Sequence, residues 1–201
     1  MRPDEILADA RDHGLLLVEW KAALRTDDLA RPRMSDRHPS EQSLSVHLSH
    51  SKADQHGIGS TIGIAAFSPE AAVGEGSAES TLLDAGAAWT RWRDLLGSHG
   101  ILEGPAWRGI DRYGRRPRTS GLHRNSIAEI IKRRAATAGL EDAELWGGHS
   151  LRRGFATEAI AAGVPERDVQ RHGRWCSRAS MDPYIDAAHT FDPTNPTHWL
   201  T

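Results

Sequence analysis

The sequence has 201 residues, of which 38% are hydrophobic and 26% are charged, and its net charge is −2 at neutral pH. This length accommodates one domain with small extensions. No apolar run reaches the length of a transmembrane helix, and acidic residues interrupt the N-terminal stretch where a secretory signal would be apolar. The single cysteine, Cys176, excludes an internal disulfide and a cysteine-based metal site. We therefore expect a cytoplasmic protein without a membrane partner.

The charges are distributed unevenly along the chain. The first 100 residues contain 10 Lys and Arg against 15 Asp and Glu, whereas residues 101–201 contain 15 against 12. Within residues 104–134, nine basic residues stand against two acidic ones. Such a run is typical of a surface that meets a polyanion, but it is equally typical of a solvated arginine-rich face. The charge pattern alone leaves both interpretations open.

Two helices are predicted at the start of the chain. Apolar residues at helical spacing indicate a first helix over residues 3–24, which Gly14 divides in its middle. A short helix follows over residues 26–31, and Pro32 marks its end because proline interrupts helical hydrogen bonding.

A β-hairpin is predicted next. Apolar and polar residues alternate over residues 43–49, and residues 60–65 provide the partner strand. The polar turn between the two strands carries Lys52. Residues 68–81 are rich in glycine, serine and glutamate and predict a loop.

The second half of the sequence predicts helices, interrupted by one basic connection. The helices cover residues 81–100, 125–140, 150–162, 165–171 and 177–188. Residues 109–121 combine glycine, proline and arginine and predict a turn-rich connection. Together with the hairpin, these elements indicate an α+β fold that is mainly α, with a small antiparallel β-sheet.

The helix over residues 150–162 begins with an unusual concentration of cationic side chains. Ser150 can cap it, and His149, Arg152 and Arg153 lie around its start. Cations are disfavoured at this end of the helix dipole, whereas anions are attracted by the free backbone amides. The arrangement predicts that a polyanion binds here and supplies the counter-charge.

Chemistry on a phosphate would need cations for the nonbridging oxygens, a nucleophile and an acid for the leaving group. The sequence contains two tyrosines, Tyr113 and Tyr184, and Tyr184 lies just beyond the helices that begin near His149. The sequence contains no pattern typical of a carboxylate metal cluster, a phosphate-binding glycine loop or a serine-hydrolase elbow.

The stretch 147–188 resembles the catalytic end of the tyrosine recombinase (phage integrase) family. That family has an H-x-x-R motif, then a His or Trp, then a Tyr nine residues later. It also has an earlier arginine after an apolar helix and a lysine on a β-hairpin. The matching residues in this sequence are Arg25, Lys52, His149, Arg152, Trp175 and Tyr184, with Asp28 in the family's acidic position. The resemblance spans residues 11–188.

The resemblance implies a transesterification on DNA. Tyr184 would attack a phosphodiester to give a 3′-phosphotyrosine and a free 5′-hydroxyl. Arg25 and Arg152 would hold the nonbridging oxygens, for which the planar guanidinium is well suited. One ester replaces another, so the resemblance implies no metal, no ATP and no other cofactor.

The remaining matched residues would assist this step. His149 would donate a hydrogen bond or accept the proton of Tyr184, and Trp175 would donate its indole N–H to the phosphate and pack the site. Lys52 would protonate the departing 5′-oxygen. Asp28 would orient an active-site cation from behind.

The resemblance also implies double-stranded DNA as partner and a tetramer on DNA. The basic residues expected to contact DNA are Arg112, Arg115, Arg116, Arg118, Arg124, Lys132, Arg153, Arg171 and Arg174. For Arg153, a structural role beside an acidic residue stays open.

The predicted domain organisation is a catalytic domain over residues 1–188 and a tail over residues 189–201, whose Phe191, Trp199 and Leu200 could dock on another protomer or fold back. We expect the family's N-terminal DNA-binding domain to be absent, and DNA binding to be weak and salt-sensitive. Pro183 predicts that Tyr184 lies on a hinge or begins a short helix. Two alternative functions are a catalytically impaired DNA-binding relic and relaxation of supercoils by a topoisomerase-like reaction.

Overall fold

The computed structural model describes residues 3–41, 43–49, 59–66 and 82–190, and this part of the chain contains seven α-helices and five strands. The helices are α1 (Pro3–Lys21), α2 (Thr26–Leu29), α3 (Ala85–Ser98), α4 (Arg124–Thr137), α5 (Gly148–Ala161), α6 (Glu166–Gly173) and α7 (Asp182–His189). The strands are β1 (Arg37–Pro39), β2 (Ser43–Leu48), β3 (Ser60–Ala65), β4 (Arg108–Ile110) and β5 (Pro117–Gly121). The expected mainly helical α+β fold is confirmed. None of the described helices has the length and apolar character needed to cross a membrane.

The first sheet is antiparallel, with strand order β1-β2-β3. Its central hairpin is the predicted one, with Val46 opposite Ile62, and β2 alternates buried and half-buried side chains along its length. Strand β1 was not predicted, because three residues are too few to show a period of two. Lys52 and the loop predicted over residues 68–81 lie outside the described residues.

The expectation of a turn-rich connection over residues 109–121 is wrong, because β4 and β5 pair as a second antiparallel hairpin. Its anchor is Arg108, which is buried and donates to the main-chain oxygens of Glu103 and Thr119, 2.6 and 2.7 Å away. Hydrogen bonds from an arginine, rather than alternating apolar side chains, hold this hairpin, so the sequence pattern did not indicate it.

Helix α1 passes through Gly14 without a break, contrary to the predicted division. The glycine instead permits close packing, since a Cβ there would lie 3.3 Å from the main-chain oxygen of Ala88 and from the ring of Trp107. The helix ends at Lys21 because the chain turns at Ala23, whose φ of 48° is left-handed. This turn delivers Arg25 to the start of α2.

The buried apolar residues form two separate cores. The larger one lies between α1, α3, α4 and the first sheet, and Trp89 and Trp92 are completely buried in it. The smaller one joins α5, α6 and α7 around Ile160, Val169 and Met181. The turn after α1 inserts Ala23 into this second core, so the C-terminal helices pack directly on the chain segment that carries Arg25.

A buried ion pair lies within the larger core. Glu19 of α1 and Arg37 of β1 have fully buried side chains 3.0 Å apart. The indole N–H of Trp107 donates to the same Glu19 oxygen at 2.6 Å, and the guanidinium lies over the rings of Trp89 and Trp107. Burial raises the pKa of Glu19 to about 7, opposed by the charge of Arg37 and the Trp107 hydrogen bond.

Replacing Arg37 with methionine should lower the free energy of unfolding by about 3–5 kcal/mol, because Glu19 would stay buried without its counter-charge. The pKa of Glu19 would then rise further above its unfolded value of 4.5. A folded state that holds an extra proton loses stability as pH rises, so the deficit should be larger at alkaline than at acidic pH. Urea denaturation at several pH values measures both effects.

The matched control is Arg93→Met, because Arg93 pairs with Asp94 at the surface of α3. Its effect should stay within about 1 kcal/mol, as expected for a solvated pair. Equal losses in the two variants would contradict the structural role assigned to the buried pair.

Candidate DNA-cleavage site

The two arginines of the expected site are connected through the turn after α1. Arg25 precedes α2, and its Nη2 donates to the main-chain oxygen of Arg174 at 2.9 Å. Arg152 is buried, and its Nη1 donates to the main-chain oxygen of Ala23. Because Ala23 lies two residues before Arg25, the same turn fixes both guanidinium groups.

Helix α5 presents His149 and Arg152 on one face, because residues three positions apart are neighbours on a helix. The helix begins at Gly148, two residues before the predicted cap. Ser150 therefore lies in the first turn, where its hydroxyl accepts a hydrogen bond from the N–H of Gly147 at 3.1 Å. His149 is exposed on this turn.

Trp175 reaches the site through an abrupt end of α6. Arg174 follows the helix with a φ of 57°, and the chain then returns over Gly173. A Cβ at position 173 would lie 1.6 Å from the Trp175 ring, so only glycine allows this placement. The buried ring of Trp175 lies under the guanidinium of Arg152, whose Cζ is 3.8 Å from the ring centroid. The ring therefore orients Arg152 by cation–π stacking.

Tyr184 lies in the first turn of α7. Pro183 occupies the start of this helix, where its missing N–H breaks no hydrogen bond, so the predicted short helix is the outcome. The Tyr184 hydroxyl is 3.4 Å from Nε2 of His149, and its ring centroid is 5.9 Å from that of Trp175. His149, Arg152, Trp175 and Tyr184 thus meet Arg25 around one cleft of about 470 Å³.

The cleft concentrates positive charge. Burial, together with the charges of Arg25 and Arg174, lowers the pKa of Arg152 to about 10. Partial burial of the ring, together with the charges of Arg153 and Arg152, lowers the pKa of His149 below its ordinary value of 6.5. Arg152 therefore remains charged at neutral pH, and His149 is mostly neutral and able to accept a proton.

Two guanidinium donors beside the cleft have no hydrogen-bond partner among the described residues. They are Nη1 of Arg25 and Nη2 of Arg152, and both are buried. Leaving such groups unpaired is costly, and charged ones more so. Unpaired guanidinium donors on two arginines that line the same cleft fit an oxyanion with several acceptor oxygens, such as a phosphate.

Asp28 and Arg174 occupy places that the sequence did not indicate. Asp28 is buried, and its Oδ2 lies 3.9 Å from Nη2 of Arg174, whereas no ion pair joins it to Arg25. Arg174 was expected to contact DNA, but its side chain is only 12% exposed and lies behind the cleft. The sequence did contain one indication that Arg174 lies near the site, because it immediately precedes Trp175.

The other residues expected to contact DNA are mostly on the surface. Those of the β4–β5 hairpin, Arg112, Arg115, Arg116 and Arg118, are all exposed. Arg124 pairs with Asp27 on the rim of the cleft at 3.1 Å, Lys132 with Glu129 at 3.4 Å and Arg171 with Asp168 at 3.2 Å. Arg153 is exposed and forms no ion pair with another described residue.

The basic run over residues 104–134 is less available to a polyanion than its composition suggests. Arg108 is buried, and Arg133 and Arg134 both bind the carboxylate of Asp12 on α1. These three arginines bind partners within the fold, although the Arg133 side chain stays 55% exposed. The other basic residues of the run lie on the β4–β5 hairpin and along α4.

Two expectations cannot be placed. Lys52 and the tail residues Phe191, Trp199 and Leu200 lie outside the described residues. Within the described ranges, no three histidine, cysteine or acidic side chains group together as metal ligands would.

The chain is 31% identical over 188 residues to an integrase/recombinase of Selenomonas ruminantium, a XerD homologue. That alignment covers 94% of this chain and 50% of the relative. The chain therefore spans about half the length of the curated relative it matches. No protein-family model matches the chain.

The solved structures that are similar in fold include two recombinases. One is the XerH site-specific recombinase bound to a palindromic difH substrate after cleavage, with a TM-score of 0.63 and 13% identity. The match covers 98% of this chain and 50% of the XerH chain. The other is the XerA recombinase, with a TM-score of 0.59 and 18% identity over 94% of this chain and 58% of its own.

Proposed function

Because the chain belongs to the tyrosine recombinase family, we propose that it performs site-specific recombination of double-stranded DNA. The observation that carries this proposal is the cleft itself. The Tyr184 hydroxyl lies 3.4 Å from His149, whose pKa is lowered, and beside guanidinium donors of Arg25 and Arg152 that have no partner among the described residues. This arrangement supports Tyr184 as the nucleophile, His149 as its base and the two arginines as the oxyanion site.

The proposed first step exchanges one ester for another. The Tyr184 oxygen attacks the scissile phosphorus as His149 takes its proton, and the bond to the 5′-oxygen breaks. Arg25 and Arg152 hold the nonbridging oxygens as negative charge increases on them. Lys52 gives the departing 5′-oxygen its proton. The 5′-hydroxyl of a second strand then attacks the phosphotyrosine and releases Tyr184.

Trp175 and Asp28 support this chemistry without reacting. Trp175 holds the Arg152 guanidinium from below and closes the floor of the cleft. Asp28 provides the counter-charge of the buried Arg174 behind the cleft, with Oδ2 3.9 Å from Nη2. The step consumes no cofactor, because the energy of the broken phosphodiester is retained in the phosphotyrosine.

The proposed assembly is a tetramer on DNA. Exchange between two duplexes requires four strand cleavages, and each cleft holds one Tyr184. Residues 1–188 act as the catalytic domain, residues 189–201 as a docking tail, and the exposed arginines of the β4–β5 hairpin bind the DNA backbone. Since the substrate is DNA, we place the reaction in the cytoplasm.

A nicked suicide DNA substrate tests the proposal. The short fragment that carries the free 5′-hydroxyl diffuses away after cleavage, and its loss traps the covalent intermediate. Incubation with the wild-type chain should give a protein–DNA adduct that survives denaturation. Mass spectrometry of the digested adduct should locate the nucleotide on the peptide that contains Tyr184.

Two outcomes would support the alternative functions instead. DNA binding without an adduct over a range of substrates would indicate a catalytically impaired relic. An adduct accompanied only by relaxed circles, with no recombinant products from a supercoiled plasmid, would indicate a topoisomerase-like reaction.

The rate of cleavage should fall as pH decreases through the pKa of His149, because a protonated imidazole cannot accept the tyrosine proton. Since that pKa is lowered, the midpoint of the acid limb should lie below 6.5. Single-turnover rates measured from about pH 5 to 8 give this midpoint. A His149→Gln variant should be slower and lack the same limb, and a wild-type midpoint above 6.5 would argue against His149 as the base.

A further inference from the structure

Arg174 lies beside the cleft, but the proposed chemistry assigns it no role. It follows α6 with φ and ψ of 57° and 44°, a left-handed conformation. Glycine adopts this conformation freely and commonly ends helices, whereas any residue with a Cβ is strained there. The strain at this position makes the contacts of the Arg174 side chain informative.

The guanidinium of Arg174 lies inside the protein. Its side chain is 12% exposed, and Nε, Nη1 and Nη2 all lack a hydrogen-bond partner in the described part of the chain. Oδ2 of Asp28, 3.9 Å away, is also buried without a hydrogen-bond partner. The two groups are too far apart for a hydrogen bond, so Coulombic attraction holds them together.

Asp28 would otherwise compete for Arg25. The two residues begin α2 together, and the N–H of Asp28 donates to the main-chain oxygen of Arg25 at 2.8 Å. Yet no ion pair joins their side chains, and Arg25 instead donates to the main-chain oxygen of Arg174. The side chain of Arg174 therefore faces Asp28, and its main-chain oxygen accepts the hydrogen bond that orients Arg25.

We propose that Arg174 is a positioning residue of the phosphate site, which neutralises Asp28 and thereby keeps the guanidinium of Arg25 free to bind the scissile phosphate. This inference rests on the proposed function, because the anion that Arg25 receives is there a DNA phosphate. Without Arg174, Asp28 would draw Arg25 into an ion pair and close the anion site.

The Arg174→Gly variant isolates the side chain. It relaxes the strained backbone and keeps the main-chain oxygen that holds Arg25, so a residue that only ends the helix would be replaced without loss. The first measurement is the unfolding midpoint as inorganic phosphate replaces chloride at constant ionic strength. Phosphate bound to the folded state raises this midpoint. Circular dichroism confirms that each variant is folded before the titration.

The expected results form a double-mutant cycle. Phosphate should stabilise the wild type, and Arg174→Gly should need at least about tenfold more phosphate for the same rise, because Asp28 captures Arg25. Adding Asp28→Asn to Arg174→Gly should restore the response to within about threefold of the wild type. Arg167→Ala removes an exposed arginine of α6 and controls for the lost charge.

The same variants extend the test to cleavage of the suicide substrate. Arg174→Gly should lower the single-turnover rate at least about tenfold while the dissociation constant for DNA changes less than about threefold. Asp28→Asn should again restore most of the rate. A helix-capping role alone would produce no such recovery.

Three outcomes would overturn the inference: no phosphate response in the wild type, a response of Arg174→Gly within about twofold of the wild type, or no recovery in the double variant. The proposed function fails separately. If the phosphate cycle behaves as expected but the wild type forms no tyrosine-linked DNA, the positioning role of Arg174 stands and the cleavage proposal is wrong.

Discussion

Replacing Tyr184 with phenylalanine should abolish covalent capture of DNA by the suicide substrate. The substitution removes only the hydroxyl, which lies 3.4 Å from Nε2 of His149 at the edge of the cleft. The ring keeps its contact with Trp175, so the fold and the affinity for DNA should remain close to those of the wild type. Denaturing electrophoresis of the adduct and a filter-binding assay measure the two properties.

The matched control is Tyr113→Phe. The chain has two tyrosines, and Tyr113 is exposed, beneath the Arg112 guanidinium on the β4–β5 hairpin. Losing its hydroxyl should leave adduct formation intact. A persistent adduct in Tyr184→Phe, or its loss in Tyr113→Phe, would show that the nucleophile has been assigned to the wrong residue.

Replacing Arg152 with lysine should lower the single-turnover cleavage rate by on the order of 10²–10³, even though the positive charge is retained. Arg152 donates to the main-chain oxygen of Ala23 with Nη1 and stacks on Trp175, and its Nη2 has no hydrogen-bond partner among the described residues. An ammonium group cannot make these contacts together, because its donors do not lie in a plane. Quenched-flow measurement with saturating enzyme isolates the chemical step.

Arg153→Lys provides the comparison for Arg152→Lys. Arg153 is the next residue of α5, but it is exposed and stacks on no aromatic ring among the described residues. Its conservative replacement should change the cleavage rate less than about threefold, as expected for a solvated cation. Equal losses in the two variants would mean that general charge near the helix start, rather than the planar donors of Arg152, drives cleavage.

The elements that the sequence predicted well are those with long apolar periods. Helices α1, α3, α4 and α5 each show several turns of regular spacing, and the β2–β3 pair shows clean alternation. The β4–β5 hairpin was missed because carbonyl contacts of the buried Arg108 hold it. Its stability depends on partners distant from any local pattern.

The same distinction applies to the site. Five of the six residues predicted to be catalytic line one cleft, because the order and spacing of their motifs reflect a shared fold. The sixth, Lys52, lies outside the described residues. The buried Glu19–Arg37 pair and the placement of Arg174 against Asp28 were not predictable. Each is a contact between charged side chains that composition alone places on the surface.

The turn at Ala23 also determines when the cleft can form during synthesis. The hydrogen bond from Arg152 to Ala23 joins residues 129 positions apart, and the bond from Arg25 to Arg174 joins residues 149 positions apart. A nascent chain on the ribosome folds its early helices before α5, α6 and α7 have been made. Arg25 then still lacks its hydrogen bond to Arg174. The tyrosine follows last of all. The cleft therefore cannot form until α5, α6 and α7 have all been made and have folded onto the turn at Ala23.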